Sequence, residues 1–598
     1  MTDVARPAKL RDALERVDAL AEHTFAGWHV PGLAYGVIQA GQLIHTRGLG
    51  TLRLGEEAPP DSRSVFRIAS MTKSFTAAMV LLLRDEGRLR LDDPIAEHVP
   101  ELAGLRYPTA DSPLITIRHL LTMTAGLPTD DPWGDRQQGL DLEAFARLLA
   151  GGLSFAWTPG TRFEYSNTGY GILGRLITNL AGAEYRDVIR ERLLIPLGMT
   201  STGYLESEVP PERLARGYVW RDGGFLEEPM DGYGALASMG GIFTSVEDLG
   251  RWVSGFLDAV PPRDDPAGTH PLSRATRREM QQPMIPADPL RLTHASADAM
   301  PEIESLHYGF GLFQIDDLRF GRIVGHGGGY PGFGSSMRWH PASGLGVVAV
   351  ANARYAPSGP LARDFLAELL RSDVAPVRRT RAAAPALRAR EAVERLMKHW
   401  DDALAAKTFA MNVELDEPLD LRRAAIEALK GRHGALRPDE SEPVESSTEL
   451  HLAWWLEGER GRVRVELLLS PEMQPRVQAF NLMSVPEPPD ALRRAAERIV
   501  AALETPETGP VTIDWPADLS VGERVDLGAV VRAMRATEAR FAPIRLGSVV
   551  DGDGERKSTF RLHGPRGRID LALVLDPDRG CLDAVSLVPV RQLPPELG

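Results

Sequence analysis

The sequence predicts an α+β protein: one large domain built on a sheet with helices, followed by two smaller α+β modules that repeat one another. Three observations predict it. Strand patterns stand at both ends of residues 10–372 with helical patterns between them, as in a sheet completed by the first and last segments of one domain. Residues 373–389 then turn rich in Ala, Pro and Arg, the composition of a linker. Beyond that, one stretch recurs at a constant offset of 106 residues.

Taken in order, residues 33–49 read as a strand pair around Ala40-Gly41, a hairpin turn signal. Residues 70–86 read as a helix: Phe75, Ala78, Met79, Leu82 and Leu83 share one face at 3.6-residue spacing, and Gly87 can close it. A second helical pattern covers residues 170–180, beginning near Thr168. Residues 322–324, 334–339 and 345–350 read as three successive strands with glycine-rich turns. In the repeat, residues 458–471 (GERGRVRVELLLSP) line up with 564–577 (GPRGRIDLALVLDP). Each copy follows a helical segment, 390–404 and 490–503, and precedes one more strand, 477–483 and 582–588. Two tandem modules are therefore expected, 390–489 and 490–598, each a helix packed on an antiparallel sheet. Trp454 and Trp455 are adjacent on a strand and so face opposite sides, which predicts one in the core and one on a contact surface.

Bulk composition narrows the function. With 598 residues, 43% hydrophobic and 25% charged, the chain can build ordinary packed cores. A net charge of −14 argues against nucleic acid, which asks for a basic surface. One cysteine, Cys581, excludes an internal disulfide and a thiolate metal cage, and the 14 histidines show no metal-ligand spacing, so no metal and no cofactor are expected. The longest apolar run, residues 77–83, is too short to span a bilayer. The first residues carry no basic-then-apolar export signal, so the chain as given is expected to be cytoplasmic, with export left open should the start codon be misassigned.

The chemistry concentrates in three places. Ser70 and Lys73, at i and i+3 on a helix, share a face. A serine hydroxyl needs a base beside it, and lysine can be that base when burial and the positive end of a helix disfavour its charged form. Arginine cannot, because it stays protonated. The chain has only six lysines, and Lys73 is the only one between residues 10 and 397. The plain alternative is a helix cap followed by a surface lysine. The second place is Tyr165-Ser166-Asn167, on a loop just before a helix. Tyr165 can relay a proton and Asn167 can orient a carbonyl; equally, Asn167 reads as a helix cap and Tyr165 as core packing. The third is His326-Gly327-Gly328-Gly329 at a strand end, where glycines let another backbone approach and expose their own N–H groups; it also reads as an ordinary glycine turn.

In this order the three elements resemble S-x-x-K, Y-x-N and H-x-G of the class C β-lactamase and penicillin-binding-protein superfamily of serine hydrolases. Residues 83–94 (LRDEGRLRLDDP) and 115–128 (ITIRHLLTMTAGLP) look like it too. The resemblance covers residues 10–372 and not the C-terminal repeats. It implies a β-lactamase-like fold, an antiparallel sheet flanked by helices beside an all-helical lobe. It implies that Ser70 forms an acyl-enzyme and that Lys73 and Tyr165 share the general-base work. Asn167 would position the acyl group, with His326, Gly327 and Gly328 binding substrate, and the N–H groups of Ser70 and Gly329 would form the oxyanion hole.

His326 departs from the lysine of the family's K-T-G. A histidine is mostly neutral near pH 7 and offers no fixed charge to a substrate carboxylate. H-x-G is similar to the D-aminopeptidase and esterase branch, so the expected substrate is an amide or peptide, of a D-amino acid among others, or a small carboxylic ester. The alternatives are β-lactamase or DD-peptidase activity, and an inactive hydrolase fold serving as a scaffold. For the C-terminal modules the readings are a cover over the cleft mouth, self-association, or a stability appendage.

Overall fold

The computed structural model describes residues 6–266, 268–293, 302–317, 319–372, 374–375, 381–504, 520–522, 525, 530, 544–564, 567–576 and 578–590. The chain divides into two compact units. The first comprises Met1–Ala297, Pro301–Arg378 and Glu596–Gly598, and the second Asp298–Met300 and Arg379–Pro595. Among the described residues no helix is long and apolar enough to cross a membrane.

The first unit is built on an eight-stranded antiparallel sheet. Its spatial order is Gln42–Gly50, Gly32–Gln39, Leu345–Ala351, Phe333–His340, Gly321–Tyr330, Phe313–Asp317, Glu302–Tyr308 and Ile285–Thr293. The first hairpin closes at Ala40-Gly41, both at positive φ, the turn whose twist matches that of paired strands. The last strand of the domain, Leu345–Ala351, pairs with Gly32–Gln39 near the start, Val37 opposite Val347. The chain therefore closes the sheet from both ends. One face packs under helices Arg6–Gly27 and Ser358–Arg371, through Val17, Ala21, Phe365 and Leu369 against Tyr35 and Val347. The other carries the larger core, shared with helices Thr72–Asp85 and Val246–Asp258. Between residues 72 and 200 the regular elements are all helices joined by loops, and Leu142–Ala150 and Asn167–Ala181 are the longer ones after Thr72–Asp85.

Two boundaries differ from the sequence expectation in ways that matter for the site. The strand expected over 322–324 runs through Gly321–Tyr330, so His326–Gly329 lie within a strand and not in a glycine turn. The helix expected from Tyr170 begins at Asn167, with Ser166 as its cap: the Ser166 hydroxyl accepts from Gly169 N at 3.2 Å. Asn167 is thus the first helical residue, which frees its amide for other partners.

The second unit holds two antiparallel meanders. One has the order Arg437–Pro438, His451–Gly458, Gly461–Leu469 and Val477–Pro486. The other runs Arg545–Gly552, Lys557–Gly564, Gly567–Asp576 and Cys581–Pro589, with Ser520–Val521 parallel at its edge. The aligned repeat has a common meaning: Gly458 pairs with Gly461 and Gly564 with Gly567, so G-x-x-G closes a tight hairpin in both copies. The helix Ala384–Lys398 begins inside the segment read as linker, because Pro385 suits a first helical turn. The segment 390–404 is not one helix; a second helix starts at Asp402, capped by Asp401.

Trp454 and Trp455 are both core, 2% and 4% exposed, against the expectation that one would be surface. They do face opposite sides of their strand. Trp454 joins the apolar cluster of its own sheet with Val393 and Phe480, while Trp455 joins Leu492, Ile499, Phe560 and Leu571 of the second meander. A sheet covered on both faces buries both parities of a strand. Replacing Trp455 by Ala should cost the C-terminal unit about 3–5 kcal/mol. Hydrogen exchange should then speed up in the strands of both meanders; unchanged protection over residues 557–576 would show that Trp455 serves the first alone.

Candidate active site

The turn before helix Thr72–Asp85 sets the site. Ala69–Met71 form a single 3₁₀ turn, and Ala69 has φ +49, a left-handed conformation rare for a residue with a Cβ. Ser70 follows it and is partly exposed, whereas Lys73, one turn on, is 0% exposed. Lys73 Nζ lies 2.9 Å from Ser70 Oγ, and it reaches Asn167 Oδ1 at 2.6 Å and the Met239 carbonyl at 2.9 Å. Burial lowers the Lys73 pKa to about 8, against the pull of Asp131, Asp130 and Asp135. Tyr165 stands beside both groups. Lys73 Nζ is 4.9 Å from its ring centroid, and its phenol bonds to the Ser70 side chain. Burial, and then the Asp131 carboxylate, push that phenol well above its ordinary value, so it is held protonated.

Asn167 is fixed from both sides. Its Oδ1 receives Lys73, its Nδ2 donates to Asp131 Oδ1 at 2.7 Å, and its backbone N–H donates to Asp130 Oδ1 at 2.6 Å. Asp130 Oδ2 also accepts from Thr168 N and Oγ1 at 2.8 and 2.5 Å, so one carboxylate satisfies the helix N-terminus. The loop leading to Tyr165 is pinned by Met123, which itself has φ +59: Glu164 N donates to the Met123 carbonyl and Ser166 N meets its sulfur at 3.2 Å.

The strand Gly321–Tyr330 borders the same place. Its neighbour Phe313–Asp317 pairs only as far as Gly325, so among the described residues His326–Gly329 have no strand beyond them on that edge. Gly328 lies where a Cβ would overlap the Ile68 carbonyl oxygen and Ser335 Oγ; Ser335 Oγ in turn donates to Ile68 O at 2.7 Å. Only a residue without a side chain lets the strand reach the turn that carries Ser70. A Cβ at Gly329 would strike the ring of Tyr355, whereas Gly327 is open. His326, 4% exposed, bonds through Nδ1 to Gly327 O at 2.5 Å and packs 5.0 Å from the Phe313 ring and 6.4 Å from Tyr165. Burial, and then Lys73, hold its pKa down to about 3, so the imidazole is neutral.

Lys73 therefore meets Ser70, Tyr165 and Asn167, His326 lies beside Tyr165, and Gly328 abuts the Ser70 turn. The sequence reading missed the Met239 carbonyl, a backbone group that leaves no trace in side-chain pattern. It also missed Asp130, Asp131 and Asp135, which belong to none of the three motifs. Asp135 is buried, accepts from the Tyr355 hydroxyl at 2.5 Å, and is raised by burial to about 6.

This fold and this order of elements agree with comparison to known proteins. Residues 17–371 match the family described as Beta-lactamase. The chain belongs to the beta-lactamase family. Within that family it is 32% identical over 257 residues to the D-alanyl-D-alanine-carboxypeptidase/endopeptidase AmpH of Escherichia coli K12, covering 41% of this chain and 63% of the relative. It is 27% identical over 351 residues to Protein flp of Staphylococcus aureus COL, covering 58% and 65%. The match thus spans somewhat under two thirds of each relative. Over 97% of the chain the fold resembles that of an octameric penicillin-binding protein homologue from Pyrococcus abyssi, with a TM-score of 0.50 and 18% identity. The beta-lactamase fold here is an antiparallel sheet flanked by helices, extended by the C-terminal sheet modules.

Gly328→Ala is expected to destabilise the first unit by about 1–3 kcal/mol, because the added methyl meets backbone that cannot yield. Thermal unfolding and Ser70 labelling rates should fall together; an unchanged melting curve would show that the strand and turn do not meet this closely.

Proposed function

We propose that this chain is a serine acyl hydrolase that works through an acyl-enzyme on Ser70. The observation that carries the reading is the environment of Lys73 Nζ. Two of its three partners, Asn167 Oδ1 and Met239 O, are carbonyl oxygens that can only accept. A neutral amine has two N–H groups for them and one lone pair, which then faces the Ser70 hydroxyl at 2.9 Å. A lysine lowered to about 8 keeps an appreciable neutral fraction near neutrality.

In this reading Lys73 takes the Ser70 proton as Oγ attacks the carbonyl carbon. The backbone N–H groups of Ser70 and Gly329 receive the developing oxyanion. The neutral Tyr165 phenol, bonded to Ser70, passes a proton toward the leaving group and is refilled from Lys73. This differs from a phenolate base, which its burial and the nearby Asp131 disfavour. Water then releases the acyl group by the reverse proton path. The remaining amide hydrogen of Asn167 orients the acyl part.

The substrate class supported is an amide, peptide or small ester lacking a carboxylate beside the reacting carbonyl, because the neutral His326 stands at the family's cationic position. A D-amino-acid amide is one member of that class. DD-peptidase activity is the second reading, favoured by the likeness to AmpH.

A fluorophosphonate should label the wild-type chain at Ser70. Ser70→Ala should abolish labelling and lower turnover by about 10⁴-fold or more. If the alanine variant labels equally, the nucleophile lies elsewhere.

Since the base must be unprotonated, kcat/KM should rise with pH and level off above about 8. Lys73→Arg should remove the activity at every pH, because a guanidinium stays charged. A flat profile from pH 6 to 9 would contradict Lys73 as the base.

A further inference from the structure

A cavity of about 490 Å³ lies apart from the serine site: none of Ser70, Lys73, Tyr165, Asn167 and His326 lines it. Its volume suits a small molecule. Much of its wall is apolar, supplied by Leu205, Val209, Leu214 and Phe243. Arg67 also lines it, at the end of strand Val65–Arg67, just before the turn that carries Ser70.

Arg67 is 1% exposed, and most of its donors are unused. Nη2 donates to the Asp231 carbonyl at 2.6 Å. The rings of Phe243 and Tyr330 flank the group, their centroids 4.6 and 4.8 Å from Cζ. Nε and Nη1 are buried and have no hydrogen-bond partner in the protein. Burial works against the charge, while Tyr330, Asp231 and Glu206 favour it, and a guanidinium stays protonated. Buried donors of a charged group are normally paired, so two orphans on a cavity wall ask for an acceptor from another molecule.

Two carboxylates line the same cavity, and both are engaged elsewhere. Glu206 accepts from Arg216 Nη1 at 2.7 Å. Asp231 accepts from the Tyr330 hydroxyl at 3.1 Å and from Arg136 Nη1 at 3.3 Å. Arg67, Arg216 and Arg136 thus stand against Glu206 and Asp231, three cationic groups against two anionic ones. That balance accommodates one further negative charge, whereas a dianion would be repelled by both carboxylates.

We infer that this cavity binds a small monocarboxylic acid, its carboxylate accepting from Arg67 and its apolar body lying against Leu205, Val209 and Leu214. The inference is independent of the hydrolase reading, because it uses no residue of the serine site.

The test uses the full chain and ligand-observed NMR titrations with benzoate, benzamide and inorganic phosphate. Benzoate should bind about tenfold or more tighter than benzamide, which has the same ring without the charge, since hydrogen bonds to charged groups are worth at least that factor. Phosphate should bind more weakly than benzoate. Arg67→Met should remove the advantage of benzoate over benzamide. Val209→Trp, which fills the cavity from a half-buried position and leaves Arg67 in place, should abolish binding of both. Ser70 blocked with a fluorophosphonate should leave benzoate binding unchanged. Equal binding of benzoate and benzamide, or no binding of either, overturns the proposal, even if Arg67→Met fails to fold. Tighter binding of phosphate overturns the ligand class. Benzoate binding that survives Val209→Trp, or is lost when Ser70 is blocked, places the acid elsewhere and overturns the site.

Discussion

A buried amine without a carboxylate partner is the constraint around which the first unit is organised. Lys73 Nζ is wholly withdrawn from water, and its hydrogen-bond partners are a hydroxyl, an amide oxygen and a backbone carbonyl. None of these neutralises a charge, so the charged form gains little from its direct hydrogen-bond partners. The three partners come from the turn before its own helix, from the start of helix Asn167–Ala181, and from the 3₁₀ turn Ala235–Met239. Holding all three at hydrogen-bond distance demands that each segment be fixed to a fraction of an ångström.

The surrounding architecture meets that demand with unusual backbone and small residues. Ala69 and Met123 both sit at positive φ, one immediately before Ser70 and one beneath the Tyr165 loop. Such conformations persist where packing over-determines them. Asp130 fixes the first turn of the helix that carries Asn167, and glycine at 328 lets the sheet come within contact of the Ser70 turn. The electrostatics follow from the same closeness. The carboxylates of residues 130–135 raise the tendency of Lys73 to hold its proton, burial opposes them, and the balance leaves an amine near the range in which proton transfer is useful.

The C-terminal unit shows the same economy in another form. Two copies of one meander share a core because a strand of the first presents a tryptophan to each side. Removing one copy would expose apolar surface of the other, which gives a physical reason for tandem occurrence.

The fold class and the identities of the candidate residues were legible in the sequence because they reside in local signals. Periodicity marked the helix after Ser70, Ala40-Gly41 marked the hairpin, and one lysine among so many arginines marked position 73. The repeat marked two modules. Tertiary structure decided what local signals cannot carry. It set where the strand bearing His326 ends, since glycines read as a turn until the Ser70 turn is seen pressed against them. It showed that Asn167 is no cap, that Trp455 is core, and that Met239 and Asp131 complete the surroundings of Lys73 and Asn167. A backbone carbonyl and a carboxylate distant along the chain act through space, and the direction of a hydrogen bond depends on which atoms the whole fold brings face to face.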